Sequence, residues 1–210
     1  MTVIVDYGVG NLFSLQSSFS AIGEPVCVSA DPSVIARATR LILPGVGAFE
    51  DAIGKLRATG LDALIVARVR DGVPLLGICL GMQMLFERSY EYGVHEGLGL
   101  LRGEVRPIAE VIDPSLKIPH IGWNSLCMQG EKHPVFRYIN DGDCVYFVHS
   151  YAAFGVEDAL IANTEYSAPL TAAVAKGCVC GCQFHPEKSG RVGLAILRGF
   201  CEWDGTGGGV

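Results

Sequence analysis

Short apolar runs alternate with segments of helical periodicity over the first ninety residues of the chain. In 61–70, for example, apolar side chains recur at the spacing that places them on one face of a helix. Alternating strands and helices are typical of a parallel sheet with helices on both faces. The predicted strands are 2–6, 25–28, 40–43 and 74–78, and the predicted helices are 11–22, a short one opening at Asp31-Pro32, 49–57, 61–70 and 80–88.

The pattern changes beyond residue 100, where short strand candidates follow one another with turn signals between them. We expect these strands to form hairpins that extend the sheet. A helix over 190–202 closes a single domain of residues 1–203, and the glycine-rich residues 204–210 are expected to form a flexible tail. The predicted fold is therefore α/β: an open, mostly parallel twisted sheet with helices on both faces and added antiparallel strands. The later strand candidates are 104–109, 120–126, 143–148, 159–163, 170–175 and 178–184.

The composition is that of a globular protein, since half of the 210 residues are hydrophobic and 18% are charged. The net charge of -6, with no basic stripe, argues against nucleic acid as a partner. No apolar run is long enough to span a bilayer, so we expect no membrane association. Residues 1–6 are interpreted as a first strand and not as a secretory signal, because no basic region precedes them. Eight cysteines in such a chain are expected to be reduced thiols, which predicts a cytoplasmic location.

Cys79 follows the apolar run 74–78 and lies between Gly77 and Gly81. A strand that enters a helix through two glycines makes a sharp turn at the residue between them, as in the nucleophile elbow of hydrolases. The turn presents the side chain at the carboxyl end of the sheet, where open α/β folds bind their ligands. The positive end of the following helix favours a thiolate, and the backbone N–H of Leu80 is placed to bind an oxyanion. Considered alone, Cys79 fits a small buried apolar residue at least as well.

His185 and Glu187 supply the two other groups that a nucleophilic thiol needs. Side chains two positions apart on an extended chain project to the same side, and Pro186 between them favours an extended His185. Glu187 can then accept a hydrogen bond from one imidazole nitrogen and leave the other nitrogen to face Cys79. A surface turn would also explain His-Pro-Glu alone, but not its coincidence with the Cys79 elbow.

The segment 44–47, Pro-Gly-Val-Gly, follows the third predicted strand and lies next to the elbow in the expected fold. Its two glycines allow the peptide to run close to a substrate or to flip. One N–H from this loop and that of Leu80 would form an oxyanion hole, in which each donor contributes about 3 kcal/mol. The alternative is an ordinary turn after a strand.

Two further segments are better explained by a structural role than by a functional one. Residues 8–13 (GVGNLF) depart from a dinucleotide-binding fingerprint, because Phe13 occupies the position of the third glycine. Cys178, Cys180 and Cys182 alternate along one predicted strand, which would place three thiols on one face, but their spacing is not that of a zinc site. We therefore expect packed small residues there, no metal and no cofactor.

Six motifs spread over nearly the whole chain resemble those of the class I (triad) glutamine amidotransferases. The elbow and the His-Pro-Glu segment are specific to that superfamily. The Gly-Trp-Asn and Val-His-Ser-Tyr segments resemble more closely the glutaminase subunits of imidazole glycerol phosphate synthases, which act in histidine biosynthesis. In chain order the motifs are 6–12 (DYGVGNL), 44–49 (PGVGAF), 77–83 (GICLGMQ), 119–124 (PHIGWN), 146–151 (YFVHSY) and 185–189 (HPEKS).

The resemblance implies roles for the residues that match these motifs. Cys79 would attack the side-chain amide of glutamine and form a glutamyl thioester, His185 would protonate the departing ammonia and then activate water, and Glu187 would orient His185. The Val46 and Leu80 amides would form the oxyanion hole, with a flip at Gly45–Val46 that couples activity to a partner. The positions that would hold glutamine, partly through backbone atoms, are Gly47, Gln83, Glu91, His149, Ser150 and Tyr151.

The same resemblance implies a partner, a separate (β/α)8 cyclase subunit that forms a heterodimer with this chain. Ammonia would travel through its barrel to phosphoribulosyl-formimino-AICAR phosphate, and the products would be imidazole glycerol phosphate and AICAR. Asn11, Trp123 and Lys188 match segments at that interface. Free ammonia is mostly ammonium at neutral pH and is then a poor nucleophile, so we expect a tunnel and a glutaminase that is gated by its partner.

Three alternatives remain at the level of the sequence. The chain could serve another triad amidotransferase, in anthranilate, aminodeoxychorismate or pyridoxal phosphate synthesis. It could be a stand-alone γ-glutamyl peptidase with the same elbow. It could also be an interaction protein that kept the fold and lost the chemistry, although the presence of all three triad residues argues against that reading.

Overall fold

A computed structural model of the chain describes residues 1–206. These residues form fourteen strands and six α-helices. The strands are β1 (Thr2–Val5), β2 (Val26–Ser29), β3 (Arg40–Leu43), β4 (Leu75–Ile78), β5 (Arg88–Ser89), β6 (His95–Glu96), β7 (Glu104–Pro107), β8 (His120–Ser125), β9 (Cys127–Met128), β10 (Cys144–His149), β11 (Tyr151–Phe154), β12 (Leu160–Glu165), β13 (Pro169–Lys176) and β14 (Val179–Cys182). The helices are α1 (Leu12–Ala21), α2 (Pro32–Ala36), α3 (Phe49–Ala58), α4 (Leu61–Arg70), α5 (Leu80–Gln83) and α6 (Gly190–Glu202).

The main sheet has eight strands in the order β2-β1-β3-β4-β14-β13-β12-β9. The five strands from β2 to β14 are parallel, and the remaining strands run antiparallel to their neighbours. The predicted fold class, an open and mostly parallel sheet with helices and added antiparallel strands, is confirmed. The strands β4 and β14 are neighbours in this sheet, so their carboxyl ends bring residues 79 and 183–187 to the same edge.

Two apolar layers lie on the two faces of the sheet, as successive side chains of β3 show. Leu41 and Leu43 belong to a cluster with α2, α3 and α4, whereas Ile42 belongs to a cluster with α1 and α6. This alternation follows from the two-residue period of a strand and places helices on both faces. None of the helices within residues 1–206 is both long and apolar enough to cross a membrane.

The helix predicted over 80–88 is wrong in length, because α5 ends after a single turn. The carbonyl of Met84 accepts a hydrogen bond from Leu98 N–H, and that of Leu85 accepts from the amides of Leu100 and Leu101. These carbonyls would otherwise accept the next helical bonds, so the returning chain replaces the helix. A macrodipole of one turn is weaker than that of the predicted helix.

Three of the later strands do not extend the main sheet as predicted. The strands β8 and β10 form a separate two-stranded sheet, and β7 lies in a four-stranded sheet of order β11-β7-β5-β6. A central strand of the main sheet is buried on both faces, whereas Ile121 and Trp123 of β8 are 57% and 56% exposed. A strand with one wet face fits a small antiparallel sheet better.

The chain beyond α6 is described only to residue 206. The Trp203 indole N–H donates to the Thr206 carbonyl, and the Thr206 N–H donates to the Asp204 carboxylate. Of the predicted tail 204–210, residues 207–210 lie outside the described residues.

Candidate active site

The elbow at Cys79 has the backbone geometry that its sequence predicts. Cys79 has φ 54° and ψ -112°, a conformation that is strained for a residue with a Cβ atom. Its N–H donates to the Cys182 carbonyl (2.7 Å), and its own carbonyl accepts from Gln83 N–H (3.1 Å). These bonds hold the thiol, on a residue that is 8% exposed, at the carboxyl end of β4.

The glycines on either side of Cys79 are required by close packing. A Cβ atom on Gly81 would lie 1.8 Å from the Leu43 carbonyl oxygen, and one on Gly77 would lie 2.7 Å from the Met82 Cα atom. Glycine at position 81 therefore allows the elbow to approach the end of β3, and glycine at position 77 allows α5 to pack closely on β4.

His185 and Glu187 form a buried, oriented pair. His185 Nδ1 lies 2.8 Å from Glu187 Oε1, and the two side chains are 4% and 2% exposed. Because a carboxylate only accepts, Nδ1 carries the hydrogen and Nε2 is the nitrogen available to the thiol. The backbone of His185 is fixed as well, since its N–H donates to the Tyr146 carbonyl (2.9 Å) and its carbonyl accepts from Ser189 Oγ (2.7 Å).

The imidazole of His185 interacts with both the thiol and the carboxylate. Burial lowers the pKa of His185, but its interactions with Cys79 and Glu187 outweigh burial and raise the pKa to about 9. The donor that reaches Cys79 Sγ with hydrogen-bond geometry is Gln183 Nε2, at 3.7 Å. The interaction with the Cys79 thiol is the largest of those that raise the pKa of His185, so the thiol and the imidazole are coupled in the folded protein.

A cavity of about 570 Å³ opens above the thiol. It brings together two of the predicted triad residues, both predicted oxyanion donors and all six predicted glutamine-binding residues. Glu187 lies outside the lining, behind His185. The predicted residues that line the cavity are Cys79, His185, Val46, Leu80, Gly47, Gln83, Glu91, His149, Ser150, Tyr151 and Lys188.

Two of the predicted glutamine-binding side chains also form hydrogen bonds within the protein. Gln83 Nε2 donates to the Tyr151 carbonyl (3.1 Å) and to Gln183 Oε1 (3.0 Å). Glu91 Oε2 accepts from Phe49 N–H (2.7 Å), which is the first amide of α3. Burial raises the pKa of Glu91, although that hydrogen bond opposes the rise. Both side chains therefore fix backbone segments around the cavity as well as lining it.

The predicted oxyanion loop packs directly on the elbow. A Cβ atom on Gly45 would lie 2.7 Å from Gly81 N, and Gly47 has φ +89°. The Tyr7 hydroxyl donates to the Pro44 carbonyl (2.7 Å) and anchors the start of the loop. Among residues 1–206, neither Val46 N–H nor Leu80 N–H forms a hydrogen bond with the protein.

Of the three predicted interface residues, Lys188 lines the cavity, whereas Trp123 and Asn11 do not. Trp123 packs edge-to-face on Tyr146 (6.1 Å between ring centroids), and Lys188 Nζ lies 5.7 Å from the centre of the Tyr146 ring. Asn11 is exposed at the start of α1, where its side chain accepts from Ser14 N–H (3.3 Å). Trp123 and Lys188 thus share one surface cluster around Tyr146.

Sequence reasoning missed Gln183, which is fully buried and contacts both Cys79 and Gln83. A signal was present, because Gln183 is a polar residue after the buried strand β14 and lies two positions before His185. Side chains at that spacing on an extended chain project to the same side.

The prediction of three thiols on one face is wrong for Cys178. Cys180 and Cys182 are buried in the layer of α1 and α6, but Cys178 precedes β14, packs against the opposite layer and contacts the Val69 carbonyl (3.3 Å). Burial raises the pKa of all three thiols. Among residues 1–206, no cluster of three or more His, Cys, Asp or Glu side chains could hold a metal ion.

Comparison with known proteins gives the same picture as the geometry. The family described as glutamine amidotransferase class-I matches residues 3–202. The chain is 49% identical over 201 residues to "Imidazole glycerol phosphate synthase subunit HisH" of Lactococcus lactis, which covers 95% of this chain and 97% of that protein. It is 48% identical over 203 residues to the protein of the same name from Geobacillus kaustophilus, with 95% of each covered.

Solved structures share the fold at lower identity. A crystal structure of a glutamine amidotransferase has a TM-score of 0.76 and 20% identity, covering 97% of this chain and 99% of that chain. The structure of PurLQS from Thermotoga maritima has a TM-score of 0.71 and 19% identity, covering 95% and 96%. The family match and the two close relatives confirm the resemblance seen in the sequence: the chain belongs to the class-I glutamine amidotransferase family.

Proposed function

We propose that this chain is the glutaminase subunit of an imidazole glycerol phosphate synthase and acts in histidine biosynthesis. The observation that carries the chemistry is the thiol of Cys79 on a strained elbow, sharing a cavity with an imidazole that a buried carboxylate orients. The choice of imidazole glycerol phosphate synthase rests on two relatives with that name, whose sequences are 49% and 48% identical to this chain over 95% of its length.

The reaction begins with the thiolate of Cys79 and the imidazolium of His185, whose pKa is raised to about 9 by its interactions with Cys79 and Glu187. Sulfur attacks the side-chain carbonyl carbon of glutamine, and the oxygen becomes an oxyanion that accepts from the amides of Leu80 and Val46. His185 then donates its Nε2 proton to the departing nitrogen, so ammonia leaves and a glutamyl thioester remains. Water, deprotonated by His185, attacks the thioester and releases glutamate.

The walls of the cavity hold the rest of the glutamine molecule. Glu91 presents a carboxylate that suits the α-ammonium group, and residues 149–151 present an edge of backbone beside it. Gly47 and Gln83 line the side next to the elbow. Glutamine thereby lies with its amide above Cys79, and no cofactor takes part.

A (β/α)8 cyclase subunit receives the ammonia and forms a heterodimer with this chain. The exposed cluster of Trp123, Tyr146 and Lys188, with the exposed Asn11 at the start of α1, supplies the contact surface. The cyclase uses the ammonia to make imidazole glycerol phosphate and AICAR. We place the pair in the cytoplasm, which suits the eight free cysteines of the chain.

The test replaces the thiol and separates the two half-reactions. Cys79→Ala, assayed with the cyclase, should lose glutamine hydrolysis and glutamine-dependent cyclisation but retain cyclisation from added ammonium. Cys127→Ala, which removes an exposed thiol far along the chain, is the matched control and should keep both activities. Normal glutamine hydrolysis by the Cys79→Ala complex would refute the catalytic assignment.

A second assay tests the choice of synthase. The chain is mixed in turn with the cyclase and with the synthase subunits for anthranilate, aminodeoxychorismate and pyridoxal phosphate, and glutamine hydrolysis is measured. We expect that, of these partners, only the cyclase activates glutamine hydrolysis. Activation by another synthase would redirect the proposal, and full activity without any partner would identify a stand-alone hydrolase.

A further inference from the structure

A chain of four hydrogen bonds starts at the cavity wall and includes the imidazoles of two histidines, neither of which has a role in the proposed reaction. His149 Nδ1 lies 2.8 Å from the Tyr151 carbonyl oxygen, and His149 Nε2 lies 3.0 Å from His120 Nδ1. His120 Nε2 lies 2.9 Å from Asn124 Oδ1, and Asn124 Nδ2 lies 2.9 Å from the Glu165 carbonyl oxygen. The chain therefore begins and ends at a carbonyl, and neither carbonyl can donate.

The hydrogens in this chain can be counted. Each of the four contacts has the length of a hydrogen bond and needs one hydrogen between its two atoms. A neutral imidazole supplies one hydrogen, so His120 and His149 supply two, and the Asn124 amide supplies one more within the chain. With both histidines neutral, the four hydrogen bonds lack one hydrogen. Turning the Asn124 amide over would satisfy two neutral histidines but would place two acceptor oxygens, Asn124 Oδ1 and the Glu165 carbonyl, 2.9 Å apart, so the orientation in which Asn124 Nδ2 faces Glu165 is favoured.

The surroundings decide which histidine carries the additional proton. His149 faces the cavity and His185, and burial, opposed by the hydrogen bond to Tyr151 but aided by repulsion from His120 and His185, lowers its pKa to about 4. Burial also lowers the pKa of His120, but there the hydrogen bond to Asn124 opposes it. A cation on His120 is therefore better placed than one on His149, which lies next to the cationic His185.

The two other aromatic rings that pack against His120 carry no charge. Its ring stacks between Phe147 (5.1 Å between centroids) and Tyr166 (4.1 Å), and the Tyr166 hydroxyl donates to the Lys117 carbonyl. Aromatic faces attract a cation, so this sandwich favours an imidazolium. Lys117 and Glu165, the charged residues of the neighbouring segments, are exposed and touch the site through their carbonyls.

We propose that His120 is a proton-carrying positioning residue of the glutamine cavity: it donates from both ring nitrogens and thereby fixes His149 and the Tyr151 carbonyl. The position of the Tyr151 carbonyl matters for the site, because this carbonyl also accepts a hydrogen bond from Gln83 Nε2. Gln83 is in turn bonded to Gln183, which contacts Cys79. When His120 loses its additional proton, one of the four contacts breaks and the edge formed by residues 149–151 loosens. The part of the proposal that concerns glutamine rests on the proposed function.

The protonation claim is tested without any enzymatic assay. Long-range 15N–1H NMR of the full chain, labelled in its five histidines and assigned with His120→Gln, reports the state of each ring nitrogen against pH. We expect His149 to remain neutral with hydrogen on Nδ1, and His120 to become doubly protonated at a pH at least about one unit above the His149 transition. His149 with hydrogen on Nε2, or His149 protonated before His120, would overturn the proposal.

Asn124→Ala tests the hydrogen count directly, because it removes two contacts and leaves a chain that two neutral histidines satisfy. The His120 midpoint should fall by about one pH unit or more, whereas Asn140→Ala, in an exposed turn, should leave it unchanged. An unchanged midpoint in Asn124→Ala would contradict the count. If that variant does not fold, the titration of the wild-type chain decides alone.

The functional part is measured in the complex with the cyclase. The KM for glutamine should rise as pH passes the NMR midpoint of His120, with kcat little changed, and this step should be absent in Asn124→Ala. A KM that ignores the His120 titration would reject its positioning role. A complete lack of glutamine hydrolysis would instead count against the proposed function and leave the NMR result standing.

Discussion

At the scale of single residues, the proposed chemistry depends on side chains that hydrogen bonds hold in one conformation. Cys79 is held in a strained conformation by the carbonyl of Cys182, and His185 is held by Glu187 and by the Tyr146 carbonyl. Glu187 has one carboxylate oxygen on His185, while its other oxygen, Oε2, is buried without a hydrogen-bond partner among residues 1–206. A carboxylate with so little solvation acts mainly on the imidazole, which is what an orienting acid in a triad requires.

Glu187→Gln should therefore separate orientation from charge. The amide can still accept from His185 Nδ1–H, but its charge is lost, so the pKa of His185 should fall from its raised value of about 9. We expect kcat for glutamine hydrolysis in the complex to fall by about 10²-fold or more, with KM nearly unchanged. Glu131→Gln, at an exposed position, is the control and should behave as the wild type. An unchanged kcat in Glu187→Gln would remove Glu187 from the proposed triad.

At the scale of elements, the site is formed where β3, β4 and β14 end side by side in a parallel sheet. The alternation of apolar runs and helices predicts this arrangement, because the elements up to β4 are governed by local periodicity. The single turn of α5 is not predictable in that way, since its end is set by bonds from Leu98, Leu100 and Leu101 to carbonyls of Met84 and Leu85. The separate sheet of β8 and β10 likewise depends on pairing across a long excursion of the chain.

The same distinction holds for the candidate site. Cys79, His185 and Glu187 are predictable because glycine spacing and the His-Pro-Glu segment fix their local geometry. The spacing of Gln183 from His185 indicates that the two side chains project to the same side, but the bond of Gln183 to Gln83 and that of His120 to His149 are tertiary contacts between segments distant in sequence, which local patterns do not predict. The residues of the proposed triad follow from local sequence patterns, whereas the contacts that position them depend on the tertiary structure.

The elbow gives a prediction about an element, because its packing tolerates no side chain at position 81. Gly81→Ala would bring Cβ within 1.8 Å of the Leu43 carbonyl oxygen, which is backbone and cannot move aside alone. We expect the free energy of unfolding to fall by about 2–4 kcal/mol, measured by urea denaturation. Gly54→Ala, inside α3 with open space around it, is the matched control and should raise stability by about 0.5–1 kcal/mol. Equal effects of the two substitutions would contradict the packing argument.

At the scale of the whole molecule, buried histidines with opposite pKa shifts predict how stability depends on pH. Burial lowers the pKa of His133 to about 4, and His149 is lowered to about 4 as well, whereas His185 is raised to about 9. An unfolded histidine titrates near pH 6.5. Between pH 6.5 and 4 the unfolded chain therefore binds more protons at His133 and His149, so acid destabilises the fold. Between pH 6.5 and about 8.5 the raised pKa of His185 gives no slope, because the folded thiolate–imidazolium pair and the unfolded thiol with its neutral imidazole each carry one proton.

The free energy of unfolding should accordingly rise from pH 4.5 to 6.5 and then level off up to about pH 8 in a series of urea denaturations. Two substitutions test the groups involved. His133→Asn keeps an acceptor for Val135 N–H (3.3 Å from Nδ1 in the wild type) but cannot titrate, so the acid limb should lose about 1.4 kcal/mol per pH unit of slope. Cys79→Ala removes the charge that helps to raise the pKa of His185, so the His185 titration, followed by 15N–1H NMR, should move to lower pH while the acid limb stays intact. If Cys79→Ala left the His185 titration unchanged, the thiol and the imidazole would not be coupled in the folded protein, and the thiolate–imidazolium pair on which the proposed reaction depends would lose its physical support.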